Sequence, residues 1–162
     1  MTVTPDEYRA VATRLPGAAC VVAVRWRESL HATTVSSVAS VSLHPPQLLF
    51  CVHVDARLAD ALADVDLWTL SVLAGDQSAV ADWLASPGRP TIGQLERVPH
   101  TVSDVTGAMA VAGAAAWFDC RTAGTYPSGD HLIVVGDVLA AGASTSATGE
   151  LVHVRGRLRP VV

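Results

Sequence analysis

Along the chain the apolar positions change period several times, and each change marks a structural element. Residues 5–14 carry a helix signature: Thr4 is an N-cap, Pro5 takes the first helical position, and Asp6 and Glu7 lie in the first turn. Pro16-Gly17 stops it. Residues 18–26 are a β-branched run that predicts a strand. Residues 31–43 alternate, with Thr33, Val35, Ser37, Ala39 and Val41 on one face and Thr34, Ser36, Val38, Ser40 and Ser42 on the other. His44-Pro45-Pro46 breaks that strand, because proline lacks the ladder donor, and residues 47–54 resume as a buried strand.

Leu58, Ala61, Leu62 and Val65 recur at helical spacing and predict a helix over 57–65. Val80, Trp83 and Leu84 do the same for 76–85, with a strand over 67–73 between them. Ser86-Pro87-Gly88-Arg89-Pro90 predicts a surface loop. Two further strands are expected at 107–121 and 131–141, separated by a loop of turn formers over 124–130, and a last strand at 151–158. Six or more strands, three short helices and no regular strand–helix alternation point to a mainly antiparallel barrel or an α+β fold. Neither a Gly-x-Gly-x-x-Gly, a Walker loop nor an internal repeat is present.

A length of 162 residues suits one compact domain. Half of the residues are hydrophobic and 16% are charged, with a mean hydropathy of +0.36, which excludes a disordered chain. The longest apolar stretch, 105–118, is too short and too rich in Ala and Gly to cross a bilayer. The N-terminal residues lack the apolar core of a signal peptide, so a cytoplasmic location is expected. The net charge is −4 and all eleven cations are arginine, which gives a nucleic-acid-binding face little support.

Cys20, Cys51 and Cys120 are odd in number and set in apolar runs, the pattern of reduced core thiols. His-Glu-x-x-His, Cys-x-x-Cys and Gly-x-Ser-x-Gly are all absent. Cys51 and His53 share a strand face, a two-ligand match that core packing explains better than a metal. Thr34, Ser36 and Ser37, with Ser40 and Ser42 beyond, either present hydroxyls to the heteroatoms of a flat polar ring or form a solvated face. Gly129-Asp130-His131 ends a loop and begins a strand, which places an imidazole where it can meet a ligand.

In their order these segments resemble the flavin reductase-like family, the FMN-binding split-barrel proteins that serve as small reductase components of two-component monooxygenases. The resemblance rests on Thr34-Val35-Ser36-Ser37-Val38-Ala39-Ser40-Val41-Ser42-Leu43-His44-Pro45-Pro46 and Leu49-Phe50-Cys51-Val52. It continues through Trp117-Phe118-Asp119-Cys120, Gly129-Asp130-His131, Val135-Gly136-Asp137-Val138 and Arg155-Gly156-Arg157.

The resemblance implies a mainly β fold, an antiparallel split β-barrel with a few short flanking helices, assembled as a homodimer. It implies that FMN or FAD is reduced with NADH or NADPH and delivered to a partner oxygenase. Thr34, Ser36 and Ser37 would then line the isoalloxazine, Arg57 would lie near the flavin phosphate, and His131 would be the catalytic residue on the nicotinamide side. Val35, Cys51, Asp55, Gly129 and Asp130 complete the implied cofactor-binding set.

Some positions depart from the family pattern. Asp55-Ala56-Arg57-Leu58 stands where serine and threonine usually meet the phosphate, Ala32 replaces a glycine, and Thr91, Ile92 and Leu158 replace aromatic residues. A weakened phosphate site suits flavin used as a diffusible substrate. The alternatives are a split-barrel protein that holds flavin or another flat ligand without reducing it, and a fold relative that has lost flavin.

Overall fold

The computed structural model describes residues 2–88, 90 and 93–161. Thr91 and Ile92, and Arg89 of the predicted 86–90 loop, lie outside the described residues. The chain opens with helix α1, Pro5–Ala12, whose capping box joins Thr4 and Glu7 reciprocally: Thr4 N–H donates to Glu7 Oε2 at 2.8 Å and Glu7 N–H to Thr4 Oγ1 at 3.3 Å. None of its residues is buried.

Strand β1 (Gly17–Ala18) is short; β2 (Cys20–Trp26) and β3 (Ser29–Val35) form a hairpin in which Arg27 and Glu28 both adopt positive φ. There follow β4 (Val38–Leu43), β5 (Pro46–His53), α2 (Arg57–Asp64), β6 (Leu67–Val72) and α3 (Ser78–Ala85). The second half comprises β7 (His100–Val102), β8 (Met109–Val111), β9 (Ala116–Ser128), β10 (His131–Ala143), β11 (Glu150–Val154) and β12 (Arg157–Val161).

Seven strands pair antiparallel in the order β3-β2-β6-β9-β10-β5-β4. The strands that follow one another at Val35 and Val38 therefore lie at opposite edges of one curled sheet. The chain crosses between them at Ser36–Ser37, where the Cys51 N–H donates to the Ser37 carbonyl at 3.0 Å. This is an antiparallel split β-barrel. β1, β11 and β12 form a small second sheet, and β7 pairs with β8.

Four predicted elements are corrected. The single strand over 31–43 is two strands, so its two predicted faces do not continue across the Ser36–Ser37 corner. The run 107–121 is divided between β8 and β9 by Gly113, which adopts φ 75°. The loop over 124–130 shrinks to a turn at Gly129 and Asp130, because Thr125 to Ser128 are held in the ladder by Val134 to His131. The terminal strand is likewise a hairpin, reversed at Arg155 and Gly156, both with positive φ.

Two apolar clusters hold the barrel. Val22, Phe50, Trp68, Leu70, Cys120 and Val134 fill the interior, while Val21, Leu73, Leu84, Met109 and Leu151 pack the outer face against α3 and β8. Cys20 through Val24 are buried on both faces, which is why this segment runs apolar without alternation. Trp68 is locked at the centre by an edge-to-face contact with Phe50 (4.9 Å) and by Nε1–H donation to Thr122 Oγ1 (3.1 Å). Cys20 and Cys120 are free buried thiols, and burial pushes each up to about 12.

Candidate functional site

A cleft of about 730 Å³ opens where β3, the end of β5, the start of α2 and the segment after α3 converge. Its walls include His31, Thr33, His53, Asp55, Arg57 and Ser86. The size lies within the range of small-molecule sites, roughly 300–1,000 Å³. Arg57 is the first residue of α2, whose N-cap is Ala56 and which no side chain caps. The first N–H groups of a helix lack intrahelical acceptors and carry partial positive charge, so this terminus and the Arg57 guanidinium together suit an anionic group. Asp55, exposed at the same entrance, opposes them.

His31 is 7% exposed, and its Nδ1 finds no hydrogen-bond partner. The ring rests edge-on against the Trp26 indole at 5.4 Å. Burial, assisted by the nearby Arg57 charge, holds this imidazole below the usual histidine range and therefore neutral at pH 7. An uncapped helix terminus, an arginine and an unpartnered buried imidazole fit a ligand with an anionic tail and polar substituents.

A second cavity of about 270 Å³ takes Thr34, Val35 and Ser36 from the β3 end, Ala81 and Asp82 from α3, and His153 and Leu158 from the terminal hairpin. Ala85 lines both cavities, so they adjoin. Thr34 Oγ1 donates to the Ala81 carbonyl at 2.8 Å and Thr33 Oγ1 to the Leu84 carbonyl at 3.3 Å. The Thr34 hydroxyl hydrogen is thus engaged within the protein, and the site is tied to the last turn of α3. Ser40 and Ser42 belong elsewhere: with Val38, Leu43 and Phe118 they line an apolar groove of about 360 Å³. The hydroxyl-rich face expected from the sequence is divided between two places.

The turn at Gly129 (φ 61°) brings Asp130 and His131 beside the end of β5. His131 Nδ1 is 2.7 Å from Asp130 Oδ1. That hydrogen bond holds the Asp130 carboxyl below its ordinary value, with the charges of His131 and His53 adding to it. His53 stands against His131, ring centroids 5.3 Å apart. Cys51 is half-buried on the same face of β5 as His53. Among the described residues no group of three or more His, Cys, Asp or Glu side chains is arranged to hold a metal ion.

The structure therefore gathers Asp55 and Arg57 in the main cleft and Thr34, Val35 and Ser36 in the adjoining cavity. His131 and Asp130 lie next to His53, which lines the cleft. Ser37 contributes its carbonyl to the corner. His31 escaped the sequence reading, the parity with Thr33 along β3 being the available signal; His53 was weighed there only beside Cys51 and assigned to core packing, whereas it lies exposed on the cleft wall.

Residues 12–161 match the model of the flavin reductase like domain. The chain belongs to that family. It is 33% identical over 150 residues to an NADH-dependent FMN reductase of Streptomyces nodosus subsp. asukaensis, covering 93% of this chain and 81% of the relative. The structure of an NADH:FAD oxidoreductase of Streptomyces globisporus, solved with NAD and FAD fragments, superposes with a TM-score of 0.91 at 29% identity, covering 100% of this chain and 97% of that one. The flavin reductase component of a bacterial two-component tryptophan halogenase gives 0.90 at 36% identity, with 98% of each chain covered. In this flavin reductase-like chain the departures at Asp55 and Ala56 fall at the mouth of the main cleft.

Proposed function

We propose that this chain is an NAD(P)H-dependent flavin reductase, one domain over residues 1–162, that supplies reduced FMN or FAD to a partner oxygenase. The observation that carries it is the main cleft, in which Arg57 and the uncapped start of α2 stand beside the cavity formed by Thr34, Val35 and Ser36. Bound flavin would supply the hydride acceptor and the nicotinamide the hydride, chemistry that belongs to the two cofactors. The chain's part is to hold, align and shield them.

Arg57 and the α2 terminus would hold the phosphate, and Thr34, Val35 and Ser36 would border the ring, with Ser37 and its partner Cys51 at the corner beside them. Gly129 and Asp130 set His131 on the nicotinamide side. Asp55 lowers the affinity for phosphate by like-charge repulsion, so flavin arrives and leaves as a substrate. A cytoplasmic site of action is part of this proposal. A homodimer is supported by the apolar groove and by Val41 and Leu43, which lie exposed on edge strand β4. Its mass in solution would be twice 16.8 kDa.

The test is NADH and NADPH oxidation at 340 nm with added FMN, FAD or riboflavin, together with the visible spectrum of the isolated protein. Flavin-dependent turnover by a colourless protein is expected. A yellow protein without turnover would make it a flavin carrier, and neither flavin binding nor turnover would refute the reading.

A further inference from the structure

His53 and His131 are direct partners in the β5–β10 register, which puts two imidazoles side by side on neighbouring strands. The Asp55 backbone N–H donates to His53 Nδ1 at 3.1 Å. Nδ1 is therefore an acceptor, and the proton of the neutral ring sits on Nε2. That nitrogen lies 4.0 Å from Asp130 Oδ2, an ion-pair distance rather than a hydrogen-bond distance, so its pull on the carboxylate is electrostatic. The other oxygen of the same carboxylate is 2.7 Å from His131 Nδ1. An ionised carboxylate accepts only, so His131 Nδ1 is the donor and its Nε2 is left as a lone-pair acceptor.

The Asp130 side chain is 75% exposed on a two-residue turn and has rotational freedom of its own. The His53 N–H facing its far oxygen across 4.0 Å, on a ring that is itself fixed by Asp55, restricts that freedom electrostatically. We propose that His53 is a positioning residue for His131: anchored by the Asp55 N–H, it steadies the Asp130 carboxylate so that His131 keeps its proton on Nδ1 and offers Nε2 to the carboxamide N–H of the nicotinamide. This rests on the reading that His131 faces the dinucleotide. It links the loop at the mouth of the main cleft to the nicotinamide side through residues 53, 55, 130 and 131, which are remote in sequence.

The test uses His53→Phe, which keeps a ring against His131 but removes both nitrogens, and His53→Gln, whose amide N–H reaches toward Asp130. Imidazole 1H–15N spectra of the ligand-free protein at pH 8 read the His131 tautomer without reference to turnover. The wild type is expected to show the Nδ1–H tautomer alone, His53→Phe a mixture, and His53→Gln the single tautomer again. The NADH KM should rise about two- to tenfold in His53→Phe, with a smaller change in kcat, and return in His53→Gln. An unchanged His131 tautomer in His53→Phe, or equal losses in both variants, would overturn the proposal. A protein that shows the tautomer changes but oxidises no reduced nicotinamide would uphold the positioning and defeat the reductase reading instead.

Discussion

Replacing Gly136 with alanine should destabilise the barrel more than any other single methyl group added to β10. A Cβ built there overlaps Trp68 Cζ2, and it meets Trp68 Cη2 at 2.9 Å and Cys120 Cβ at 3.2 Å. Trp68 has no room to give way: it is fully buried, braced by Phe50 and held by its hydrogen bond to Thr122. Overpacking of this kind costs about 1–3 kcal/mol. Turning the indole away would add about 1 kcal/mol for the lost hydrogen bond. A total of about 2–4 kcal/mol lowers Tm by about 4–16 °C for a chain of this size. Calorimetry of Gly136→Ala, Trp68→Phe and the double variant forms a cycle, in which the smaller ring should absorb much of the Gly136→Ala cost. An unchanged Tm in the single variant, or strict additivity in the cycle, would refute the reasoning.

Three further outcomes are expected. Arg57→Ala should weaken FMN binding about ten- to a hundredfold and leave riboflavin, which lacks the phosphate, nearly unaffected in a fluorescence titration. Asp119 is buried and accepts from Thr69 Oγ1 and Ser103 Oγ, each at 2.6 Å. Asp119→Ala should therefore cost about 2–4 kcal/mol in urea unfolding by removing the acceptor of both hydroxyl hydrogens, although Thr69 keeps its contact with Thr106 and Ser103 still accepts from the Val105 and Thr106 N–H groups. Cys20 and Cys120 stay protonated in the fold up to about 12 but ionise near 9 once unfolded. The unfolded chain then binds fewer protons, so stability should fall as pH rises from about 9 towards 12, and Cys20→Ala with Cys120→Ala should flatten that decline.

The helices were legible because each carries its own signals. Thr4, Pro5 and Glu7 announce α1, and the spacing of Leu58, Ala61 and Leu62 announces α2. The barrel was legible through its order of strands and its family resemblance. The division of 31–43 at Ser36–Ser37 was not, since both halves have strand composition and only their pairing in opposite directions along the chain, β3 back to β2 and β4 forward to β5, separates them. Residues 124–128 hid for the opposite reason: turn formers such as Gly124 and Pro127 lie within a strand because thirteen residues of β10 stand ready to pair with it. In the candidate site, Arg57 and His131 sit in recognisable segments. His31 and His53 depend on a cleft wall and a cross-strand register, which exist only after folding.

The smaller cavity joins segments far apart along the chain: Thr34 to Ser36 form one side, Ala81 and Asp82 another, and His153, Gly156 and Leu158 the last. More than a hundred residues must be placed before those sides meet, and closing so long a loop is a late event in folding. Binding at this cavity thereby reports on the integrity of the whole chain. A chain truncated before the terminal hairpin retains every strand of the seven-stranded sheet, yet it lacks a wall of the site. Ligand protection of the native state should accordingly vanish before the barrel does, and the last few residues become a checkpoint between folding and function.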